Sequence, residues 1–117
     1  MTHWTSHFQS REFRCPHCQV ALARDLLLQR LEVLRASVGR PLVIRSGYRC
    51  PPHNAAVGGA ADSMHMYAAA ADLESGVATL DDARRAGFTG VGTQGRWAVH
   101  VDVRDGPFET WQYGPRH

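Results

Sequence analysis

The sequence predicts a small α+β domain in which helices pack on one side of a small antiparallel sheet. Three observations favour this class. The 117 residues, of which 44% are hydrophobic, are enough for one hydrophobic core but too few for two. One segment has the spacing of an amphipathic helix, and a later segment alternates apolar and polar residues as a strand does. Because the chain has no internal repeat or low-complexity linker, we expect residues 1–117 to form a single domain.

The first element is a helix in the segment LARDLLLQRLEVLRASVG. Its apolar residues recur at intervals of four, three and four, at Leu27, Leu31, Leu34 and Val38. This is the spacing of one face of an α-helix, and glycine readily adopts the left-handed conformation that ends many helices. The sequence therefore predicts an amphipathic helix that ends near Gly39.

The elements that follow are shorter. The β-branched run LVIRS predicts a strand, SGYRCPPHN has the turn residues of a loop, and the glycine-rich VGGAADS extends this irregular stretch. Further on, TLDDARRAGF has Thr79 three residues before Asp82, which is the spacing of a capping box, and Gly87 as a stop signal. We therefore expect the order helix, strand, loop, strand, helix, strand, strand.

The segment WAVHVDVR has the period of two that is typical of a strand. The apolar face, which we expect to pack on the core, consists of Trp97, Val99, Val101 and Val103. The opposite face carries an imidazole, a carboxylate and a guanidinium from His100, Asp102 and Arg104. This polar face is a candidate for chemistry because its groups point the same way.

Charge and hydropathy argue against two classes of partner. The formal net charge is +2, and no cluster of Lys and Arg marks a nucleic-acid-binding surface. The apolar stretches are too short for a membrane span, and MTHWTSHFQSREF lacks the apolar run of a signal peptide. We therefore expect a monomer that is made in the cytoplasm without a Sec signal and has neither a nucleic-acid nor a membrane partner.

The chain has three cysteines, Cys15, Cys18 and Cys50, and an odd number excludes a complete set of disulfides within the chain. The motif CPHC could be half of a small zinc site whose other half is Cys50 and His53, because thiolate and imidazole ligands suit tetrahedral zinc. Alternatively, one cysteine pairs with Cys50, or all three are reduced. The sequence leaves these alternatives open.

Another candidate metal site includes the segment SMHMYAAAADLE. There, His65 and Asp72 are seven positions apart around small residues, and His100 lies on the polar face of the later strand. Catalytic zinc takes three protein ligands of these types and leaves a fourth position for water. The residues alone leave a second interpretation open, in which His65 is an unliganded loop residue, Asp72 is solvated and His100 is merely exposed.

Several separated motifs, taken in order, resemble the zinc D-alanyl-D-alanine carboxypeptidases and endopeptidases of peptidase clan MD, the M15 family. They are a Ser-Gly-Tyr-Arg turn at 46–49, an Asn and a Gly-Gly pair, Ser-x-His at 63–65, an Asp seven residues after that His, and His-x-Asp at 100–102. The opening HFQSREFRC and the stretch VGRPLVIRSGYR are also similar to the start of these domains. The resemblance implies a hedgehog/D-Ala-D-Ala peptidase-like fold with a zinc site on the open face of the sheet.

The resemblance also implies roles for single residues. His65, Asp72 and His100 match the ligands of one zinc ion. Arg49 matches an arginine that binds the substrate and stabilises charge developing on the scissile carbonyl oxygen, for which a guanidinium offers a permanent charge and several donors. The alternative for Arg49 is a surface salt bridge. Ser63 matches a serine that hydrogen-bonds near the substrate or orients the ligand loop, and the alternative is structural capping.

The chain departs from the family pattern around the last ligand. Many members have an acidic residue three before that histidine or another histidine two before it, whereas this chain has Trp97 and Ala98, which cannot transfer a proton. Asp102 is therefore the candidate base. Its alternative role is to orient His100 through the far ring nitrogen.

Two alanines in the ligand segment also differ from the pattern. Ala68 stands where relatives usually have glycine, and Ala69 stands where they often have Arg or His. If the family glycine has a positive φ angle, alanine at position 68 costs on the order of 1 kcal/mol. At position 69 a possible contact with the substrate is missing.

The resemblance implies a zinc metallopeptidase that hydrolyses a peptide bond in bacterial peptidoglycan, either as a D-Ala-D-Ala carboxypeptidase or as an endopeptidase of a stem or cross-link. Single-domain members without a signal peptide are often phage-encoded endolysins or virion-associated enzymes, so host lysis is an implied setting. The alternative is a catalytically weak or inactive zinc-stabilised module that binds the cell wall or has a structural role. The missing acid before His100 and the alanines at 68 and 69 motivate this alternative.

Overall fold

The computed structural model describes residues 4–113. The helices are α1 (Asp25–Val38), α2 (Pro51–Ala56) and α3 (Leu80–Arg85), and the strands are β1 (Ile44–Ser46), β2 (Ala70–Leu73), β3 (Gly90–Gln94), β4 (Trp97–Asp102) and β5 (Glu109–Gln112). Two 3₁₀ turns cover Ser10–Phe13 and Met64–Tyr67. Among the described residues, no helix has both the length and the apolarity that crossing a bilayer requires.

The five strands form one sheet in the order β1-β2-β4-β3-β5. Neighbouring strands are antiparallel except for β3 and β5, which are parallel. A single apolar cluster joins α1 to one face of the sheet, and its members include Leu27, Leu28, Leu31, Leu34, Ala71, Leu73, Val91 and Val101. The predicted α+β class is confirmed. The apolar cluster on one face of the sheet includes residues of α1 and α3 but none of α2, and the parallel pairing of β3 with β5 was not predicted.

Local sequence signals explain α1 and α3. The residue that ends α1 is Gly39, whose φ of 69° is left-handed and whose N–H donates to the Arg35 carbonyl. At the start of α3, the Thr79 N–H donates to the Asp82 carboxylate at 2.9 Å, and the Asp82 N–H donates to the Thr79 hydroxyl at 3.2 Å. Both predicted helix ends are therefore confirmed, because capping depends on residues close in sequence.

The stretch predicted as a loop after β1 contains a helix, α2, so this prediction is wrong over Pro51–Ala56. The two prolines occupy the first turn, where a helix needs no N–H donor and where the fixed φ of proline is already helical. Asn54 is buried and donates to the Ala60 carbonyl at 2.8 Å, which closes the glycine-rich stretch back onto the helix.

The apolar face predicted for β4 is only half correct. Val101 and Val103 belong to the core cluster, but Trp97 and Val99 do not, and Ala98 lies in the core instead. In a regular strand Ala98 and Val101, which are three residues apart, would project from opposite faces, yet both lie in the core. The change of face indicates an irregularity between them.

A β-bulge is the cause of this change. Gly92 of β3 pairs with His100, but the next residue, Thr93, pairs with Ala98, so Val99 is an extra residue in β4. The extra residue reverses the alternation at that point, and Val99 lines a cleft on the face opposite the core. His100, just after the bulge, faces the same cleft.

Candidate metal centre

Strand pairing places two of the predicted ligands side by side. Asp72 of β2 is directly opposite His100 of β4 in the antiparallel ladder. Side chains of such a pair project from the same face with Cβ atoms about 4.5–5.5 Å apart. Because Ala71 and Val101, the neighbours of these residues, belong to the core cluster, Asp72 and His100 lie on the open face of the sheet.

A 3₁₀ turn brings the third predicted ligand to this face. The Ser63 hydroxyl accepts a hydrogen bond from the His65 N–H at 3.2 Å at the start of the turn, and Ala68 ends it with a φ of 58°. His65 is 2% exposed, and its Nδ1 donates to the Gly47 carbonyl at 2.7 Å. This bond directs Nε2 toward Asp72 Oδ1, which is 3.1 Å away.

Three hydrogen-bond acceptors converge on one point. A carbonyl only accepts, so the Gly47 bond places the ring proton of neutral His65 on Nδ1 and leaves a lone pair on Nε2. In the same way His100 Nε2 lies 2.8 Å from Asp102 Oδ2, which leaves the lone pair on Nδ1, 3.2 Å from Asp72 Oδ1. With both rings neutral, the lone pairs and the carboxylate oxygen repel one another at such distances, so either an added proton on an imidazole or a metal cation must lie among them.

The spacing of these atoms fits a tetrahedral zinc ion. Zinc bonds to nitrogen and oxygen of about 2.0–2.1 Å require ligand atoms about 3.3 Å apart. The contacts from His65 and His100 to Asp72 measure 3.1 and 3.2 Å, and the ligand atoms of all three residues lie within 4.8 Å of one another. Two imidazoles and one carboxylate therefore form a suitable three-ligand set with a free fourth direction.

The free direction opens into a cleft of about 1120 Å³ that is lined by His65, Asp72 and His100. Arg49, Ser63 and Trp111 also line it. Predicted ligands and predicted substrate-binding residues therefore share one cavity, on the open face of the sheet.

Arg49 holds the second oxygen of Asp72. Its Nη2 donates to Asp72 Oδ2 at 2.9 Å, and its Nε donates to the Ser46 hydroxyl at 3.2 Å. Burial raises the pKa of Asp72, but the contacts with His100 and His65 outweigh this effect and hold it well below its usual range. The carboxylate therefore stays ionised, with Oδ1 turned to the two imidazoles.

Asp102 is fully buried behind His100. It accepts hydrogen bonds from Arg104 Nε at 2.9 Å and Arg104 Nη2 at 2.7 Å, in addition to its contact with His100. Burial raises the pKa of Asp102, but these donors outweigh burial and lower it well below its usual range. Burial lowers the pKa of His100, but its two carboxylate neighbours outweigh burial and raise it.

One wall of the cleft is aromatic, formed by Trp111 and Tyr113, and was not predicted from the sequence. Trp111 of β5 lies against His100, with ring centroids 5.3 Å apart, and Arg104 Cζ lies 4.9 Å over the Trp111 ring. Tyr113 lines the same cleft and is 44% exposed. The alternating aromatic residues in ETWQY, after a turn at DGP, were the signal that could have predicted this strand.

The cysteines form a cluster of their own. Cys15, Cys18 and Cys50 are free thiols whose sulfur atoms lie within 4.8 Å of one another. His53, the fourth residue in the zinc site that the sequence left open as an alternative, is not part of the cluster. Burial raises the pKa of Cys15, but backbone N–H groups directed at its sulfur outweigh burial and lower this pKa to about 6.

Comparison with known proteins agrees with the geometry. A family model described as Peptidase M15 matches residues 6–102. The chain is 39% identical over 88 residues to the zinc D-Ala-D-Ala carboxypeptidase of Streptomyces albus G, an alignment that covers 68% of this chain and 34% of that relative. The chain thus spans about a third of the length of the curated relative that it matches. The family match includes all three converging candidate ligands, and the chain belongs to the peptidase M15 family.

Proposed function

We propose that the chain is a zinc peptidase that hydrolyses a peptide bond in bacterial peptidoglycan. The observation that carries this proposal is the convergence of His65 Nε2, His100 Nδ1 and Asp72 Oδ1 at the floor of the cleft. Zinc held by these three atoms supplies a Lewis acid for the peptide carbonyl and an acidified water. Membership of the M15 family and the carboxypeptidase relative support this choice of metal and reaction.

Arg49 has two tasks in this proposal. Its bond to Asp72 Oδ2 fixes the carboxylate with Oδ1 toward the imidazoles. Its side chain is 16% exposed and lines the cleft, so N–H groups that are not used by Asp72 and Ser46 face the substrate space. A guanidinium there neutralises charge that develops on a carbonyl oxygen or binds a terminal carboxylate. Ser63 caps the ligand turn and lines the same cleft, so it supports the position of His65.

Of the two roles predicted for Asp102, we propose the orienting one. The carboxylate has no exposed surface, and both oxygens already accept hydrogen bonds from His100 or Arg104. A base must reach the proton that it removes, directly or through one water. Proton transfer therefore falls to a carboxylate that lines the cleft in contact with solvent, which leaves Asp62 and Glu74 besides the ligand Asp72.

The test is hydrolysis of purified peptidoglycan fragments, followed by mass spectrometry. With zinc, the protein should release products cut at a stem or cross-link peptide bond. His65→Ala should lower turnover by more than the about 10–100-fold that loss of an outer-shell partner costs, because a ligand itself is lost. His53→Ala, which removes an imidazole outside the cleft, is the matched control and should retain turnover. Equal turnover by the wild type, the chelated protein and His65→Ala would contradict the proposal.

The same spectra identify the bond. Loss of a single D-alanine from a stem ending in D-Ala-D-Ala indicates a carboxypeptidase, whereas conversion of cross-linked dimers into monomers indicates an endopeptidase. The relative's name favours the first, and we propose D-Ala-D-Ala hydrolysis as the reaction to test first. Host lysis by a phage-encoded enzyme stays a prediction of the resemblance.

A further inference from the structure

The cysteine cluster has the dimensions of a second metal site. Cys15 Sγ and Cys50 Sγ lie 3.6 Å apart, far beyond the S–S bond of a disulfide, and Cys18 Sγ lies within 4.8 Å of both. Zinc–sulfur bonds of about 2.3 Å in a tetrahedron place two sulfur atoms about 3.8 Å apart. The sulfur atoms are therefore spaced as ligands of a common ion.

A histidine lies beside the cluster, although it is not the histidine that the sequence suggested. His17 Nδ1 lies 3.3 Å from Cys50 Sγ, close to the separation of about 3.5 Å between nitrogen and sulfur on one tetrahedral zinc. His53 instead contributes its backbone N–H to the Cys50 sulfur. Neither histidine belongs to the group of ligand atoms that all lie within 4.8 Å of one another, so the His17 ring is farther than that from at least one of the other two sulfur atoms. His17, inside the CPHC motif, is thus the nearer candidate for a fourth ligand, and its ring must turn toward Cys15 and Cys18 to complete the tetrahedron.

The backbone around CPHC is arranged to hold ionised sulfur. The N–H groups of His17 and Cys18 are directed at Cys15 Sγ, and the N–H of Cys50 lies 3.5 Å from the same atom. The turn is closed by Gln19, whose φ of 67° is left-handed and whose N–H donates to the Cys15 carbonyl at 2.8 Å. N–H groups that point at sulfur favour the thiolate, which is the form that binds metals.

We propose that Cys15, Cys18, Cys50 and His17 hold a second zinc ion, distinct from the one at His65. Four protein ligands leave no position for water, and two of the thiols are buried, so this ion is structural rather than catalytic. It joins Cys15 and Cys18 of the N-terminal segment to Cys50, which directly follows Arg49 in the chain. The same two regions are linked by the hydrogen bond from the Tyr48 N–H to the Phe13 carbonyl at 3.2 Å.

The second ion therefore fixes the Ser-Gly-Tyr-Arg turn at 46–49, which contacts His65 of the first site. That turn supplies the Gly47 carbonyl that orients His65, and the Arg49 N–H donates to the His65 carbonyl at 3.2 Å. Loss of the second ion should loosen this turn and lower the melting temperature, because metal that binds only the folded chain stabilises it.

The test counts zinc per chain by elemental analysis after reconstitution under reducing conditions. The wild type should retain two equivalents, whereas Cys18→Ser and His65→Ala should each retain one, and the double variant none. Cys18 is exposed, so its replacement leaves the buried core intact. Cobalt loaded into the His65→Ala variant should give the strong ultraviolet charge-transfer band of thiolate–cobalt bonds, which no histidine or carboxylate ligand produces.

Two further measurements keep the proposal falsifiable. Equal zinc content of the wild type and Cys18→Ser, or an absent thiolate band, would overturn it, as would a mass lower by two hydrogens that shows a Cys15–Cys50 disulfide. A single equivalent in the wild type that Cys18→Ser loses would support it and show that only the site at His65 is empty. His17→Ala should weaken zinc retention by at least about tenfold, while the matched His53→Ala should not. Equal retention by these two variants would exclude His17 as the ligand. None of these outcomes depends on turnover of peptidoglycan, so they stand apart from the test of the proposed function.

Discussion

Asp102 accepts hydrogen bonds on both of its oxygens and binds the ring nitrogen of His100 that points away from the metal site. Such a carboxylate fixes the ring orientation and the tautomer of a ligand histidine and makes it a better donor to the metal. Its charge is balanced by Arg104, which explains why a carboxylate can be fully buried at this position. We therefore propose that Asp102 acts on the site through His100.

This role gives a prediction for Asp102→Asn. The amide keeps the shape but loses the charge, so zinc affinity at the site should fall by about 10–100-fold. Turnover at saturating zinc should fall far less than the 100-fold or more expected when a general base is removed. A chelator competition titration and a pH–rate profile measure the two effects, with the exposed Asp105→Asn as control. A large loss of turnover at unchanged zinc affinity would instead show that Asp102 transfers the proton.

Ala68 gives a second prediction at the scale of one residue. Its φ of 58° is in the left-handed region, where alanine is strained and glycine is not. Ala68→Gly should therefore stabilise the protein by about 0.5–1 kcal/mol and raise the melting temperature by a few degrees. Ala69→Gly is the matched control, because Ala69 is 2% exposed and loses a packed methyl group. Stabilisation of the control, or destabilisation by Ala68→Gly, would contradict the argument from backbone strain.

At the scale of elements, rows of small residues across the sheet make room for the site. Asp102 lies between Ala70 of β2 and Gly90 of β3, and His100 lies between Asp72 and Gly92. A Cβ atom at Gly90 would overlap the Asp102 carboxylate and come within 2.6 Å of Arg104 Nε. The strand glycines therefore provide the space in which the buried ion pair fits.

Gly90→Ala should accordingly disturb both stability and metal binding. Overpacking against a buried ion pair costs about 2 kcal/mol or more, and displacement of Asp102 should weaken zinc binding at His100. Gly106→Ala is the control, since a Cβ there meets no atom within 4 Å and only its φ of 99° is strained. Urea denaturation and zinc titration of both variants check the expectation. Gly106→Ala can lose stability through its strained φ, so zinc affinity decides: an equal zinc affinity of the two variants would mean that the space beside Asp102 is unimportant.

Secondary-structure elements that are determined by residues close in sequence could be predicted from the sequence. The heptad-like spacing of α1, the capping box of α3 and the alternation of β4 each depend on residues within one segment. The bulge at Val99 was not predictable, because it is defined by the pairing of β4 with β3. The strand β5 was missed although ETWQY carries an alternating aromatic signal, because its residues are mostly exposed and it pairs in parallel with β3, so it lacks the apolar face of a core strand.

At the scale of the whole molecule, family resemblance predicted which residues meet, and tertiary contacts determine which ring nitrogen of each histidine faces the others. The three candidate ligands come from a turn and two strands, and they are His65, Asp72 and His100. No pattern within one segment predicts that their ligand atoms converge. The tautomers, in contrast, follow from Gly47 and Asp102, whose contacts exist only in the folded chain. For the same reason the residues alone suggested His53 beside the cysteines, whereas folding places His17 there.

The attachment of the N-terminal segment to α1 gives the last prediction, which concerns global stability. Glu32 of α1 accepts hydrogen bonds from the His7 N–H at 3.0 Å and from His7 Nδ1 at 2.7 Å. Burial raises the pKa of Glu32, but these bonds outweigh it and lower the pKa below its ordinary value of 4.5. A carboxyl whose pKa is lower in the folded than in the unfolded chain stabilises the fold when the pH is above the unfolded pKa, and it loses that contribution as the pH falls through the folded pKa.

A double-mutant cycle with His7→Ala and Glu32→Gln, measured by urea denaturation, should give a coupling free energy on the order of 1 kcal/mol at pH 6. That coupling should vanish well below pH 4.5, and an equal coupling in acid would show that the carboxylate does not carry the attachment.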